Sequence, residues 1–450
     1  MPEVIKIRRG LDIKIQGAAE KIILTAEKSK TYAVKPPDFP CMTARLNVKA
    51  GAKVKAGDCL FYCKDRPQIK FASPVSGEVT SIERGERRKI LEVVVTADRE
   101  IEYTDFGTTD PSKLEPDQIA EKIQNAGLWP VIKQRPYAMI ANPSKKPKSI
   151  FISCFDSSPL APDLDFALKG QSVAFQAGLD ALAKLTDGKV HLGLNGKYPP
   201  ADTFINARGA EMHYFSGPHP AGNPGIHIHH IDPVNKGESV WYVHPEHVIQ
   251  IGNLFLKGIY DASRLVALTG SEVKKPVYYK MLSGASVEPV VSGNVTGTEL
   301  RYISGNVLTG SQISRTGYLG FYHNQITVIP EGKHYELLGW AMPGFKKYST
   351  SRSFWSWLSP GGKYRLDTNL HGGERAFVMT GEYEKVLPMN IYPVYLLKAI
   401  LAEDIDKMEM LGIYEIAEED FALCEFVCTS KINVQSIVRK GIEAMIREVE

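Results

Sequence analysis

No run of roughly 18 apolar residues occurs in the 450-residue chain, so no segment reads as a helix that spans a bilayer. The nearest approach, YPVYLLKAILA at 392–402, is short and is interrupted by Lys398. Cysteine is scarce. Six residues are too few for a disulfide framework, and a reducing compartment is the expectation. An excess of one charge is missing as well: 54 Lys and Arg against 51 Asp and Glu leave +3, too little to argue for a nucleic-acid partner. Neither G-x-G-x-x-G nor G-x-x-x-x-G-K-[ST] is present. SPGGKY (359–364) offers Gly-Gly-Lys, but Tyr364 stands where the pattern needs Ser or Thr, so it is not a nucleotide loop. The first residues, MPEVIKIRRGLDIKI, lack the continuous apolar centre of a signal peptide. These absences predict a soluble, cytoplasmic chain, and its length leaves room for several domains.

Over residues 1–100 the texture is that of strands. Ile5, Ile7, Ile13 and Ile15 alternate with polar residues, the period of a half-buried strand. In VKAGAKVKAGDCLFY (48–62) Gly51 and Gly57 mark turns, and in SPVSGEVTSI (73–82) Pro74 and Gly77 do the same. Gly51, Val54, Gly57 and Leu60, followed by a hairpin and S-P-V-S-G-x-V, resemble the biotinyl/lipoyl carrier fold with one extra residue. Carriers hold a lysine on that hairpin. Here the position is Arg66, whose permanently protonated guanidinium is a poor nucleophile, and Lys64 lies in the wrong context. A structural domain of carrier shape, without covalent biotin or lipoate, is therefore expected.

Farther along, PDQIAEKIQNAG (116–127) reads as a helix stopped by Gly127. SIFISCF (149–155) reads as a buried strand, QSVAFQAGLDALAKLTDG (171–188) as a helix, and VHLGLNG (190–196) as a strand. That order predicts a parallel sheet covered by helices. RLVALTGSEVKKP (264–276), RYISGNVLTGS (301–311) and ITVIPEG (326–332) read as strands around a Gly-rich middle. After about 380 the pattern is helical, with Val438, Ile442, Met445 and Val449 on one face of the last helix.

Six stretches together carry a more specific likeness: RRGLDIKIQG (8–17), SPVSGEVTSIERGERRK (73–89), GIHIHHIDPV (225–234), RYISGNVLTG (301–310), GYLGFYHNQITVI (317–329) and GGERAFVMTGEYEKVLP (372–388). They run from end to end. With the order of parts, they resemble the A-subunit family of Na+-translocating NADH:quinone reductases, related to the C-type subunit of the Rnf complex and to the flavin-bearing subunit of respiratory complex I. The resemblance implies a multidomain α/β chain: a biotinyl/lipoyl-like β-sandwich at 1–104, a Rossmann-like parallel α/β domain at 105–258, a β-grasp domain of the soluble-ligand-binding type at 259–332, and a mostly helical C-terminal domain at 333–450. It also implies a peripheral subunit on the cytoplasmic face of a bacterial membrane. Its partners would be the other subunits of the complex, the membrane-embedded ones above all, with quinone as a ligand. The rivals are an independent flavin or iron–sulfur dehydrogenase, a swinging-arm carrier, and a scaffold that never meets quinone.

Departures from the relatives bear on cofactors. Their Gly-rich loop cradles the FMN phosphate with backbone N–H groups, which needs small residues. NAGLWPVIKQRP (125–136) puts Trp129 and Pro130 there; the indole fills space and the proline removes a donor. The relatives hold iron–sulfur clusters with C-x2-C-x2-C-x3-C-P. Cys424 and Cys428 match the last two positions, but Glu418, Phe421 and Thr429 occupy the first two and the proline. No FMN, NADH or iron–sulfur site is expected on this chain, and no catalytic residue, cofactor ligand or metal ligand is assigned. GIHIHHID places His227 and His229 two apart, on one face if the segment is a strand. With His213 or His219, and Asp232 as the close carboxylate, they are the candidate metal set, although hydrogen bonding to backbone or a polar interface is the reading preferred. Finally, Lys346, Lys347, Arg352, Lys363 and Arg365 interleave with Phe345, Tyr348, Phe354, Trp355 and Trp357, a composition suited to a membrane interface, to a docking surface or to packing on the C-terminal helices.

Overall fold

The computed structural model describes residues 3–333, 336–339, 341–359 and 361–449, with the side chain of residue 449 excepted. Four sheets organise the described residues. A sheet of seven strands runs in the order Val4–Lys6, Glu211–Ser216, Lys189–Asn195, Ser149–Ser153, Val240–Tyr242, Lys133–Arg135, Met139–Ile140. Its first five strands pair in parallel, and Lys133–Arg135 pairs antiparallel with both Val240–Tyr242 and Met139–Ile140. A mixed sheet of six strands has the order Ser311–Ile313, Leu300–Ser304, Gln325–Pro330, Ser263–Thr269, Val277–Leu282, Glu20–Thr25. Two smaller sheets, four strands and three, are built from residues 31–97.

The helix Pro116–Asn125 begins where expected, with the Gln118 side chain accepting the Glu115 N–H at 3.0 Å. It stops at Gly127, whose φ of +68° and closeness to Ala72 leave no room for a side chain. Helices Ser172–Ala183 and Pro245–Lys257 lie against each other closely enough that a Cβ on Gly178 would sit 2.0 Å from the Val248 carbonyl oxygen. The last helix, Val434–Val449, buries Val438, Ile442 and Met445 as its periodicity predicts; the side chain of Val449 lies outside the described residues.

Two expectations meet a different arrangement. The isoleucine alternation at the N-terminus does not extend the sheets of residues 31–97. Val4–Lys6 pairs in parallel with Tyr214–Ser216 at the edge of the seven-stranded sheet. Ile7, Ile13 and Ile15 enter the hydrophobic core of the C-terminal helices, beside Val394, Leu397, Phe421 and Cys424. Glu20–Thr25 then pairs with Val277–Leu282 in the six-stranded sheet. The first 25 residues thus bind three parts of the molecule together, because alternation specifies a buried face and not the sheet that supplies it.

The histidine-rich segment is a helix, Pro224–Ile231, and not a strand. Pro224 at its first turn and Ile228 with Ile231 at helical spacing outweigh the local alternation. Residues two apart on a helix point about 200° apart, so His227 and His229 do not share a face.

Candidate functional site

The stretch 125–136 lies where the sheets meet. After Gly127 the chain makes one turn of 3-10 helix, Trp129–Val131, and enters the strand Lys133–Arg135. Trp129 is buried, packs edge-on against Trp241 at 5.6 Å, and donates its indole N–H to the Ala141 carbonyl at 2.8 Å. The Pro130 carbonyl accepts from the Tyr322 hydroxyl at 2.7 Å, which ties this turn to the six-stranded sheet's loop. The backbone N–H groups of Gly127, Leu128, Val131 and Ile132 are bonded to carbonyls of the same segment, those of Gln124, Ile123, Leu128 and Trp129.

Just beyond, Lys133 projects over the Tyr322 ring, its Nζ 3.6 Å from the centroid, with no carboxylate in ion-pair range among the described residues. Burial holds its ammonium pKa below the usual lysine range, although Glu419 and Glu418 pull the other way. His247 stacks on Phe321 and meets Tyr322 edge-on; its Nε2 is buried with no partner. Burial keeps this imidazole neutral, its pKa well below the usual value, and Arg264, His244 and Lys133 add to the shift. Phe39 closes the cluster against Phe321 and Tyr322. An ammonium and a neutral imidazole between aromatic rings suit a flat apolar ligand with hydrogen-bond acceptors. The adjoining cavity, lined by Lys35, Asp38, Tyr260 and Phe321 among others, has a volume of about 10 Å³, so a ligand there has to displace side chains. A larger groove of about 740 Å³ lies elsewhere, between the Ser172–Ala183 helix, the end of the Pro245–Lys257 helix and the 108–111 loop.

The same strand supplies the link to the C-terminal helices. Arg135 is wholly buried and donates to Asp420 at 2.8 Å, Glu419 at 2.9 Å and the Glu415 carbonyl at 3.2 Å. Just downstream of these carboxylates are the two cysteines singled out by spacing. Cys424 and Cys428 are free thiols, both buried. The Tyr383 hydroxyl donates to Cys428 Sγ at 2.9 Å, and Cys424 Sγ lies 3.9 Å from the Tyr383 carbonyl. Of the other two positions of the cluster pattern, Phe421 is core and Glu418 pairs with Arg439. Burial raises the Cys424 thiol pKa well above its usual value, so it carries no thiolate at neutral pH. Cys41, by contrast, is exposed. Maleimide labelling of the native chain is expected to modify Cys41 first and Cys424 and Cys428 only after unfolding; rapid native labelling at either buried position, read by peptide mass, contradicts this packing.

The histidines divide. His227 is buried, stacks on Phe215 at 4.0 Å, and its Nε2 lies 2.9 Å from the Ala221 carbonyl. His229 faces away, its Nδ1 2.6 Å from Glu415 and its Nε2 accepting from the Asn390 N–H at 3.0 Å. His219 is bonded to Ser157 at 3.1 Å. Asp232 pairs with Lys148 and accepts from Ser149. The candidate set of His213, His219, His227, His229 and Asp232 is thus dispersed. His213 instead stands beside His191 and Glu211, two residues that sequence reading passed over. The signal was available as alternation in VHLGL and EMHYF, but only the pairing of the two strands brings them together.

Arg66 sits in the hairpin between Cys59–Cys63 and Lys70–Ala72, where its carbonyl accepts from the Ile69 N–H at 2.9 Å, and Lys64 is exposed beside it. In the basic and aromatic segment, Phe345, Trp355 and Trp357 are at least half exposed. Tyr348 instead packs on Phe426 at 5.8 Å, and Arg365 pairs with Glu272.

The fold defines a class: a multidomain α/β protein with a barrel-sandwich hybrid at its N-terminus. Residues 5–98 match the NqrA N-terminal barrel-sandwich hybrid domain, 114–260 the NqrA second alpha/beta domain, and 265–315 the NQRA C-terminal domain. Over nearly its whole length the chain is similar to the A subunits of Na(+)-translocating NADH-quinone reductases from several bacteria. That of Yersinia pestis bv. Antiqua (strain Angola) is 38% identical over 97% of this chain and 98% of its own. That of Serratia proteamaculans (strain 568) is 38% identical over 99% and 100%. That of Rhodopirellula baltica is 37% identical over 99% and 98%. The chain belongs to the NqrA family, the A subunits of Na(+)-translocating NADH-quinone reductases. No helix among the described residues is long and apolar enough to cross a membrane.

Proposed function

We infer that this chain works as a peripheral, cytoplasmic-side component of a Na+-translocating NADH-quinone reductase. In this reading it contributes assembly and a contact for quinone, while flavin, NADH and iron–sulfur chemistry and the sodium path belong to partner subunits, including the membrane-embedded ones. End-to-end similarity to the family carries the reading. A Rossmann-like character for 105–258, a β-grasp character for 259–332 and a carrier-like shape for 1–104 belong to the same proposal. Trp129 in the core and Phe421 and Glu418 at two cluster positions favour a chain without its own FMN or iron–sulfur centre over an independent dehydrogenase. Quinone is assigned to the Lys133–Tyr322–His247 junction, where polar groups without hydrogen-bond partners meet aromatic walls.

The test uses the chain purified without oxygen. Its visible spectrum is expected to be featureless; a flavin or iron–sulfur band overturns the assignment of that chemistry to partners. Titration with a short-chain quinone is expected to quench tryptophan fluorescence saturably, and His247→Ala to weaken it at least several-fold. No quenching leaves assembly as the whole role of the chain. Quenching indifferent to His247→Ala moves the quinone off the junction, the 740 Å³ groove being the next place to probe.

The exposed Phe345, Trp355 and Trp357 belong to the docking surface in this reading. Trp355→Ala with Trp357→Ala is expected to leave the melting temperature unchanged and to abolish co-purification with the partner subunits. Unaltered assembly removes this surface from the interface.

A further inference from the structure

Strands Lys189–Asn195 and Glu211–Ser216 pair in parallel with His191 opposite Glu211 and Gly193 opposite His213. Residues two apart on a strand share a face, so His191, Glu211 and His213 converge on one side of the sheet. His191 Nδ1 lies 3.0 Å from His213 Nε2 and 3.6 Å from a Glu211 carboxylate oxygen. One ligand atom from each of the three falls within 4.8 Å of both others. A tetrahedral ion ~2.0–2.1 Å from each ligand holds its donor atoms ~3.3 Å apart, and the two closest separations here bracket that value. The His191 ring is held from behind by Phe151, stacked at 4.7 Å. The other Glu211 oxygen is occupied by Lys189, which leaves its partner free for a single bond to an ion.

We propose that His191, His213 and Glu211 form a divalent metal site of the zinc class, clasping the two strands, with a fourth position open to water. The chemistry of the donors agrees. Two imidazoles and a carboxylate suit zinc and its late first-row neighbours over magnesium or calcium. Metal binding needs neutral imidazoles, and burial shifts both of these below the usual histidine range. Glu211 provides the opening: its side chain is 45% exposed whereas that of His191 is 8% exposed, so the ion would be fixed from the sheet and reached from solvent. The site stands apart from the Lys133 junction and does not depend on the quinone assignment.

The experiment is titration of the full-length chain, freed of metal by a chelator, with Co2+ and then Zn2+. Wild type is expected to take up one Co2+ per chain with the intense visible bands of a tetrahedral ion, to lose them when Zn2+ displaces it, and to melt higher with Zn2+ than without. The His191→Gln, His213→Gln double variant is expected to lose this binding by more than the ~10–100-fold that loss of an outer partner costs, with a metal-free melting curve like the wild type's. Glu211→Gln, on an exposed side chain, tests the third ligand should the double variant fold poorly. Absence of stoichiometric binding in wild type overturns the site. So does equal binding in variants that fold, because the ion then sits elsewhere, for instance on the thiols.

Discussion

Acidification from pH 6.5 to about 4 is expected to destabilise the chain through its buried imidazoles. His219 and His227 are 4% and 1% exposed, and burial alone depresses His219 from 6.5 to about 4. His227 falls to about 3, again through burial, and His247 falls in the same direction. In the unfolded chain each takes a proton near pH 6.5, whereas the folded chain refuses it until the lower pKa is reached. The unfolded state therefore binds more protons across that window, and stability falls as pH falls. Each such histidine contributes a slope of about 1.4 kcal/mol per pH unit, on the order of 3 kcal/mol for His219 over its window. Glu246 works against this: burial raises its carboxyl pKa, so folding favours its protonated form as pH drops. The clean measurement is a difference. Urea unfolding of wild type and His219→Gln at several pH values should show the variant's slope smaller by about 1.4 kcal/mol per unit between pH 6.5 and 4. Parallel slopes mean that His219 is hydrated and titrates normally in the folded chain.

The second large effect is at Arg135. Replacing it with Met keeps most of the side-chain volume but leaves Asp420, itself fully buried, without its countercharge. Removing one partner of a buried ion pair costs about 3–5 kcal/mol, because the other charge is stranded. Asp420 also accepts the Ala417 N–H at 2.9 Å and lies against Gly225 at the start of the histidine-bearing helix. The stranded carboxylate thus disturbs both the C-terminal helices and the seven-stranded sheet. The expected outcome is a loss of about 3–5 kcal/mol in urea unfolding for Arg135→Met, much of it recovered by adding Asp420→Leu. A loss below about 1 kcal/mol would show that water reaches this pair.

Local patterns were enough for much of this chain. The stop at Gly127, the strand in SIFISC, the helix in QSVAFQAGLDALA and the buried stripe of the last helix each rest on residues within one or two turns of one another, so period and breaker residues specify them. Tertiary structure decided which partners those elements find. Ile7, Ile13 and Ile15 alternate in the same way whether they face a neighbouring strand or, as here, the C-terminal helices. GIHIHHI alternates like a strand, yet Pro224 in its first turn and the Ile228–Ile231 spacing carry it into a helix, which sends His227 and His229 to different partners. Lys133 over Tyr322, Arg135 on Asp420, and His191 with His213 join residues 189, 285 and 22 positions apart. Such meetings are set by strand order and register, which depend on the burial of whole faces, and no pattern local to either residue encodes them.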